Sequence, residues 1–542
     1  MDAVSSPILK PPARDGLGRR HCLVGLAGLA CSVPLPWLAG CVQPAPPRPA
    51  AAPPYPAVPL APLSQQDSAF LKRLTWGVDS ATIAAFQRAG SRGAWLGSQL
   101  RPAPASLPPA VEEQIAAMPL WRRPMADWVV DLEQQRRATD VVGDDEAKKA
   151  ARQAYQQSLG NLGRDAVHTS LLHAVHSPNQ LQEQMTWFWF NHFNVHLQKG
   201  LLRALVGDYE ARLRQHALGH FEDLLLASAT HPAMLRFLDN EQNAVGHINE
   251  NYAREVMELH TLGVDAGYSQ GDVQELARVL TGLGVEFTGR EPRLRPALAP
   301  LYVREGAMVF NPARHDMGDK VVLGQAVQAG RGFDEIREQL VRLARHPATA
   351  AHVSRRLAVF FVSDTPSPAL MERMQRRFLA TRGDVPEVLR TLFESPEFEA
   401  SLGQDFKDPM HYVLSSVRLL GDGRPVLNPQ PMVGWLNRLG EGLYERQTPD
   451  GYPLESSAWV GSGQMTARFE IARAIGAGAA ALYRVDGQPA TVSPPPPRLP
   501  NPAADVAITP FVGPATRSAL AAAGSPQEWG ALLLSSPEFM RR

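Results

Sequence analysis

Thiols are nearly absent from this chain: its three cysteines, Cys22, Cys31 and Cys41, all fall within the first 41 of 542 residues. Beyond Cys41 the sequence can form neither a disulfide nor a thiolate metal site. An excess of either charge is also missing, since 54 Lys and Arg balance 54 Asp and Glu. Without a basic footprint, nucleic acid is excluded as a partner class. A long apolar run is lacking too. The stretch from Cys22 to Leu38 is shorter than the ~20 residues a spanning helix needs, and it contains Pro34 and Pro36.

What that stretch does resemble is a secretory leader. Lys10, Arg14, Arg19 and Arg20 precede the apolar run, and Leu38-Ala39-Gly40-Cys41 follows it, the order of a signal ending in a bacterial lipobox. Residues 1–40 are expected to be removed and Cys41 to be lipidated, with a diacylglycerol and an acyl chain anchoring the protein to a membrane. Removal takes away four basic and two acidic side chains, leaving a net charge of about −2. Val42, rather than Asp, follows the cysteine, which points to an outer-membrane destination facing the periplasm or the cell surface. Arg19-Arg20 resembles a twin-arginine export signal in part, without the usual Ser before the pair.

From residue 41 to 63 the chain is dominated by Pro and Ala, the composition of an extended, solvated linker. Folded chain is expected from Ser64 onward. Its apolar spacing is helical almost throughout, so the fold class is mainly α, with short strands expected only as a small β-hairpin insertion near 285–323. About 480 residues exceed what one core usually serves, giving an expected main domain over 64–400 and a C-terminal helical lobe over 401–542. The stretch 485–514, with its Pro494–Pro497 run, reads as irregular surface chain. Thr391–Phe398 and Leu532–Phe539 share the pattern of an apolar helix end, Ser-Pro and Glu-Phe, a helix-terminating device.

Three polar islands could carry chemistry. Asn249–Gly263 reads as a helix closed by a glycine cap. At 100° per residue, Glu250, Arg254, Glu258, Asn251 and Glu255 share one arc, and His260 falls on the apolar side. This is either a solvated face of i,i+4 pairs or a carboxylate cluster able to hold a divalent cation or to do acid–base work. Trp187–His196 is covered by aromatic residues, so Asn191, His192 and His196 must be buried and must find partners. The Glu that a zinc-protease helix places beside its first His is replaced by Phe193. The third island is Asn311–Lys320, with His315-Asp316 on a loop.

Together these segments resemble a bacterial family, that of domain of unknown function 1800. The resemblance rests on Leu74–Gly77, Phe190–Phe193, His231–Leu235, Leu238–Asn240, Asn249–Gly263, Gly267–Gln270, Ala277–Gly282, His315-Asp316 with Lys320, Lys407–Pro409 and Gly451–Pro453. Leu283 departs from the aromatic that usually follows Thr-Gly. The resemblance implies export and, as a partner, the sulfatase-like exported family of domain of unknown function 1501. Two functions fit. In the first the islands converge on one cleft: Glu255, Glu258, His192 and His315 ligate a divalent metal or act as acid and base, Asp316 supports His315, Arg254 holds an anionic substrate, and an envelope or exported substrate is hydrolysed. In the second the protein is a non-catalytic binding or scaffold lipoprotein, and the same side chains form a satisfied buried network.

Overall fold

Ser64 opens the folded chain as its sequence implies. Its side chain accepts a hydrogen bond from Asp67 N at 3.0 Å and caps the Gln65–Leu74 helix. The computed structural model describes residues 59–485 and 499–542. The leader, Cys41 and nearly all of the linker lie outside the described residues, among which no helix is long and apolar enough to cross a membrane.

The fold is mainly α, with twenty-three α-helices among the described residues. At its centre lies the Gln180–His192 helix, buried at every residue except Gln182. Such an all-round apolar surface requires neighbours on every side. The Leu202–His216 helix packs against it and against the 32-residue Asp145–His176 helix. Several of the polar groups carried into this core are met. Trp189 Nε1 donates to Ala217 O at 2.9 Å, and Asn191 bonds both ways with the Tyr452 backbone, at 2.6 and 2.9 Å.

The strands appear where the hydropathy pattern changes, with more of them than expected. Strands β1 (Leu283–Val285), β2 (Val303–Glu305) and β3 (Met308–Phe310) form an antiparallel sheet of order β1-β3-β2, in which Leu283 pairs with Phe310 and Val303 with Phe310 on the other side. A separate hairpin pairs β4 (Lys320–Val322) with β5 (Gln325–Val327). The expected irregular stretch also needs correction, because Pro502–Ala507 is helical. Asn501 caps it by accepting from Ala504 N, donates to Leu419 O, and lets Ala503, Ala504 and Ala507 be buried. The repeated Ser-Pro-Glu-Phe device behaves as read: Ser395 Oγ accepts from Phe398 N and Ser536 Oγ from Phe539 N, and both phenylalanines are buried.

The described residues belong to one compact unit. Buried arginines cross the anticipated divide near residue 400. Arg73 on the first helix donates to Phe361 O at 2.5 Å, Ser401 O at 2.8 Å and Arg542 O at 2.7 Å. Arg542 in turn bonds Phe360 O at 2.8 Å, Asp405 at 3.1 Å, and His411. Removing such a guanidinium strands several buried acceptors at once. Arg73→Met should therefore lower the unfolding free energy of the full chain by about 3–5 kcal/mol, read from urea midpoints. A loss below ~1 kcal/mol would show that these carbonyls find other partners.

Candidate functional site

The Asn249–Gly263 island is built from its ends inward. Asn249 and Asn251, unusual in a merely soluble helix, pin the start: Asn249 Nδ2 donates to Asp239 O at 3.2 Å and Asn251 Nδ2 to Leu238 O at 3.1 Å. Tyr252 OH reaches Ala229 O at 2.8 Å. Gly263 closes the far end at φ +90°, donating to Met257 O, and a Cβ there would sit 3.1 Å from His352 Nδ1. Between these ends the expected single α-helix is not found. Asn251–Glu255 is α-helical, but Val256–His260 widens to a π turn, a distortion that recurs at functional sites.

The wide turn leaves backbone carbonyls open at its end, and two imidazoles donate into them. His192 Nε2 lies 3.1 Å from His260 O and His352 Nε2 lies 3.1 Å from Leu259 O. A carbonyl can only accept, so both Nε2 atoms carry the hydrogen. Both Nδ1 atoms are therefore bare acceptors. His192 Nδ1 and His260 Nε2 are buried without a partner, as are Nε and Nη2 of Arg356, one turn beyond His352 on the Pro347–Phe361 helix. The His192 ring is 6.3 Å from that of His260 and 5.8 Å from that of His352.

These groups shape one another's protonation. Burial and then the Arg356 charge take His260 down to about 3 and His352 to about 4 and hold His192 well below the usual histidine range, with neighbouring imidazoles adding to the effect at His260 and His192. Burial also lowers Arg356 to about 10, against the opposing influence of Glu455 and Asp450. All three imidazoles are thus neutral at pH 7.

The Asn249–Gly263 segment also carries a part-exposed carboxylate ledge. Arg254 spans Glu258 at 3.3 Å and Glu250 at 3.4 Å, and donates to Gln270 at 2.8 Å, with its side chain 37% exposed. Pairs of this kind contribute only ~0.2–0.5 kcal/mol each. Arg254 is engaged in these surface contacts. Glu255, by contrast, is half-buried, and among the described residues no hydrogen bond or ion pair reaches its carboxylate. Burial first, then the charges of Glu258 and Asp450, raise its pKa. Tyr268, hydrogen-bonded to Glu258, is pushed up to about 12 by burial and by that carboxylate.

The third island does not join them. His315 Nδ1 is 2.8 Å from Thr281 O, its Nε2 is 3.3 Å from Glu335, and Lys320 Nζ bonds the same carboxylate at 2.7 Å, all of it buried. Asp316 pairs with Arg278 at 2.8 Å, which also holds Glu275. Arg278 and Gln270 stand at opposite ends of one helix, about 12 Å apart along its axis. The proposed ligand set of Glu255, Glu258, His192 and His315 therefore does not assemble. Among the described residues no three His, Cys, Asp or Glu side chains are arranged to hold a metal ion. His192 is drawn to the π turn and His315 to the Lys320–Glu335 pair.

The family's sequence profile runs from residue 69 to residue 541. The chain belongs to the DUF1800 family of proteins of unknown function. No curated protein and no solved structure matches it. In this DUF1800 chain, segments distant in sequence meet. Gly77 packs so tightly on Ser415 that a Cβ would lie 2.5 Å from its Cα. Lys407 Nζ, 2.9 Å from Ser415 Oγ and over the Phe539 ring, borders a cavity of about 10 Å³, about one water's room. Gly451 is pressed onto Asn191 O, where no side chain fits. Leu283, where the aromatic was expected, is fully buried as the first residue of β1. Sequence reasoning missed His352, Arg356, Asp450 and Tyr268. An i,i+4 His–Arg pair on an amphipathic helix carries no distinguishing signal.

A histidine neutral in the fold but titrating near 6.5 when unfolded binds more protons in the unfolded chain, so its burial destabilises the fold as pH falls from about 6.5 to its folded value. His352→Gln keeps an Nε2 donor for Leu259 O but cannot titrate. Between pH 6.5 and 4, urea unfolding of His352→Gln should lose stability less steeply than wild type. Equal slopes would mean that His352 is not held neutral.

Proposed function

We propose that this DUF1800 chain is an exported, lipid-anchored envelope protein that hydrolyses an envelope or exported substrate with the Glu255–Glu258 ledge. The lipobox at Cys41 and the Pro/Ala linker support the address. The observation that carries the chemistry is Glu255: a carboxyl with raised pKa, on a part-exposed ledge beside a second carboxylate. Paired carboxyls whose environments separate their roles are the usual acid–base arrangement. Protonated Glu255 gives its proton to the leaving group while the Glu258 carboxylate takes one from the attacking water. Exchange with solvent then restores both.

The binding or scaffold reading, with a sulfatase-like exported partner, is favoured by one observation. The third island is satisfied internally, with His315, Lys320 and Glu335 closing on one another. It accounts for that island and leaves Glu255 unexplained.

Glu255→Gln removes the titratable proton and keeps the shape. It should reduce hydrolysis of purified envelope sacculi, or of an ester and amide panel, by at least ~100-fold, with an unchanged melting temperature. Retained turnover in the folded variant would overturn the acid–base role. Absence of wild-type turnover across the panel would move the protein to the binding reading.

A further inference from the structure

Only seven of the 542 residues are lysines, and most of those in the folded chain are committed. Lys199 pairs with Asp239 at 2.9 Å, Lys320 with Glu335 at 2.7 Å, and Lys407 donates to Ser415 Oγ at 2.9 Å. Lys148 and Lys149 stand on the largely exposed start of the Asp145–His176 helix. Lys72 fits neither pattern. It is half-buried in the last turn of the Gln65–Leu74 helix, yet among the described residues no hydrogen bond or ion pair reaches its Nζ.

What Lys72 does have is space. It lines an open cleft of about 470 Å³, and it also borders the small cavity that Lys407 lines. The other charges of the cleft are engaged elsewhere. Glu538 accepts from Gly513 N at 2.7 Å and Thr516 Oγ1 at 2.8 Å, Glu399 pairs with Arg92 at 3.0 Å, and Arg541 bonds Gln404 O. Burial first, then the adjacent Arg73, take Lys72 down to about 8, with Glu538 opposing them. At that value roughly a tenth of Lys72 is neutral amine at pH 7, against about 0.04% for a lysine at its usual 10.4. Desolvation beside another cation is what makes a lysine nucleophilic.

We propose that this cleft takes a hydroxylated aldehyde or ketone and that Lys72 holds it as an imine. The Nζ lone pair adds to the carbonyl carbon, and the C–N bond forms as the π bond opens onto oxygen. The two amine hydrogens then leave with that oxygen as water, so no further reactant is consumed, and hydrolysis returns the ligand unchanged. The amides of Gln65, Gln66 and Gln404 and the apolar Phe511 and Pro537, all lining the cleft, suit a ligand with both hydroxyl groups and a carbon skeleton. The cleft shares no residue with the Glu255–Glu258 ledge, so Lys72 acts independently of it.

The test traps the imine in the wild-type, full-length chain. The protein would be incubated at pH 7.5 with glyceraldehyde and sodium cyanoborohydride, which reduces an imine to a stable amine, and the modified lysines would be read by peptide mass spectrometry. Lys72 should be modified at least ~10-fold faster than Lys148 or Lys149, at a rate that saturates with glyceraldehyde. Gln66→Trp, a change at an exposed position of the cleft wall, should slow Lys72 at least ~5-fold by filling the cleft and leave Lys148 and Lys149 unaffected. Equal rates at the three lysines would overturn the proposal. So would a Lys72 rate that stays proportional to glyceraldehyde, or full Lys72 reactivity in Gln66→Trp.

Discussion

A buried guanidinium must be surrounded by acceptors, and much of this fold is arranged to meet that demand. Arg73 gathers the ends of three segments onto the first helix, through Phe361, Ser401 and Arg542. Arg418 ties Gly77 and Asp79 to the helix that carries it, and Arg468 holds Lys407 O. Each arginine has several rigid donors, so a single side chain can fix several backbone segments at once. Segments on either side of residue 400 are tied together in this way.

The functional region departs from that rule. The π turn at Val256–His260 opens carbonyls, and His192 and His352 close them, which fixes both tautomers. His192 Nδ1 has no partner among the described residues, and neither do Nε and Nη2 of Arg356. Arg73, Arg203, Arg342 and Arg468 each leave one buried donor without a partner among the described residues, and Arg356 leaves two.

Much of this was legible in the sequence, and the failures have physical causes. Ser64, Gly263 and the aromatic cover of Gln180–His192 are local signals, and the structure bears them out. The carboxylate arc was legible from i,i+4 spacing, and so was the burial of His260. The uniform 100° step could not reveal the π turn, because that widening is stabilised by His192 and His352 from other helices. Convergence of His315 with Glu255 failed for a related reason: Glu335 and Lys320 claim His315 from a later helix and a strand that no spacing rule connects to it. His352 was invisible because its partner, Leu259 O, is opened by a π turn on another segment, and Arg356 because its unmet donors appear only in the packed structure.

The central claim is that the π turn fixes two neutral imidazoles, each donating from Nε2 to a carbonyl that the turn leaves open. Imidazole ¹⁵N spectroscopy of the full-length chain at pH 7 tests it most directly. The account predicts that His192 and His352 are neutral, with hydrogen on Nε2 and an unprotonated Nδ1. Imidazolium signals, or hydrogen on Nδ1 in either ring, would contradict it.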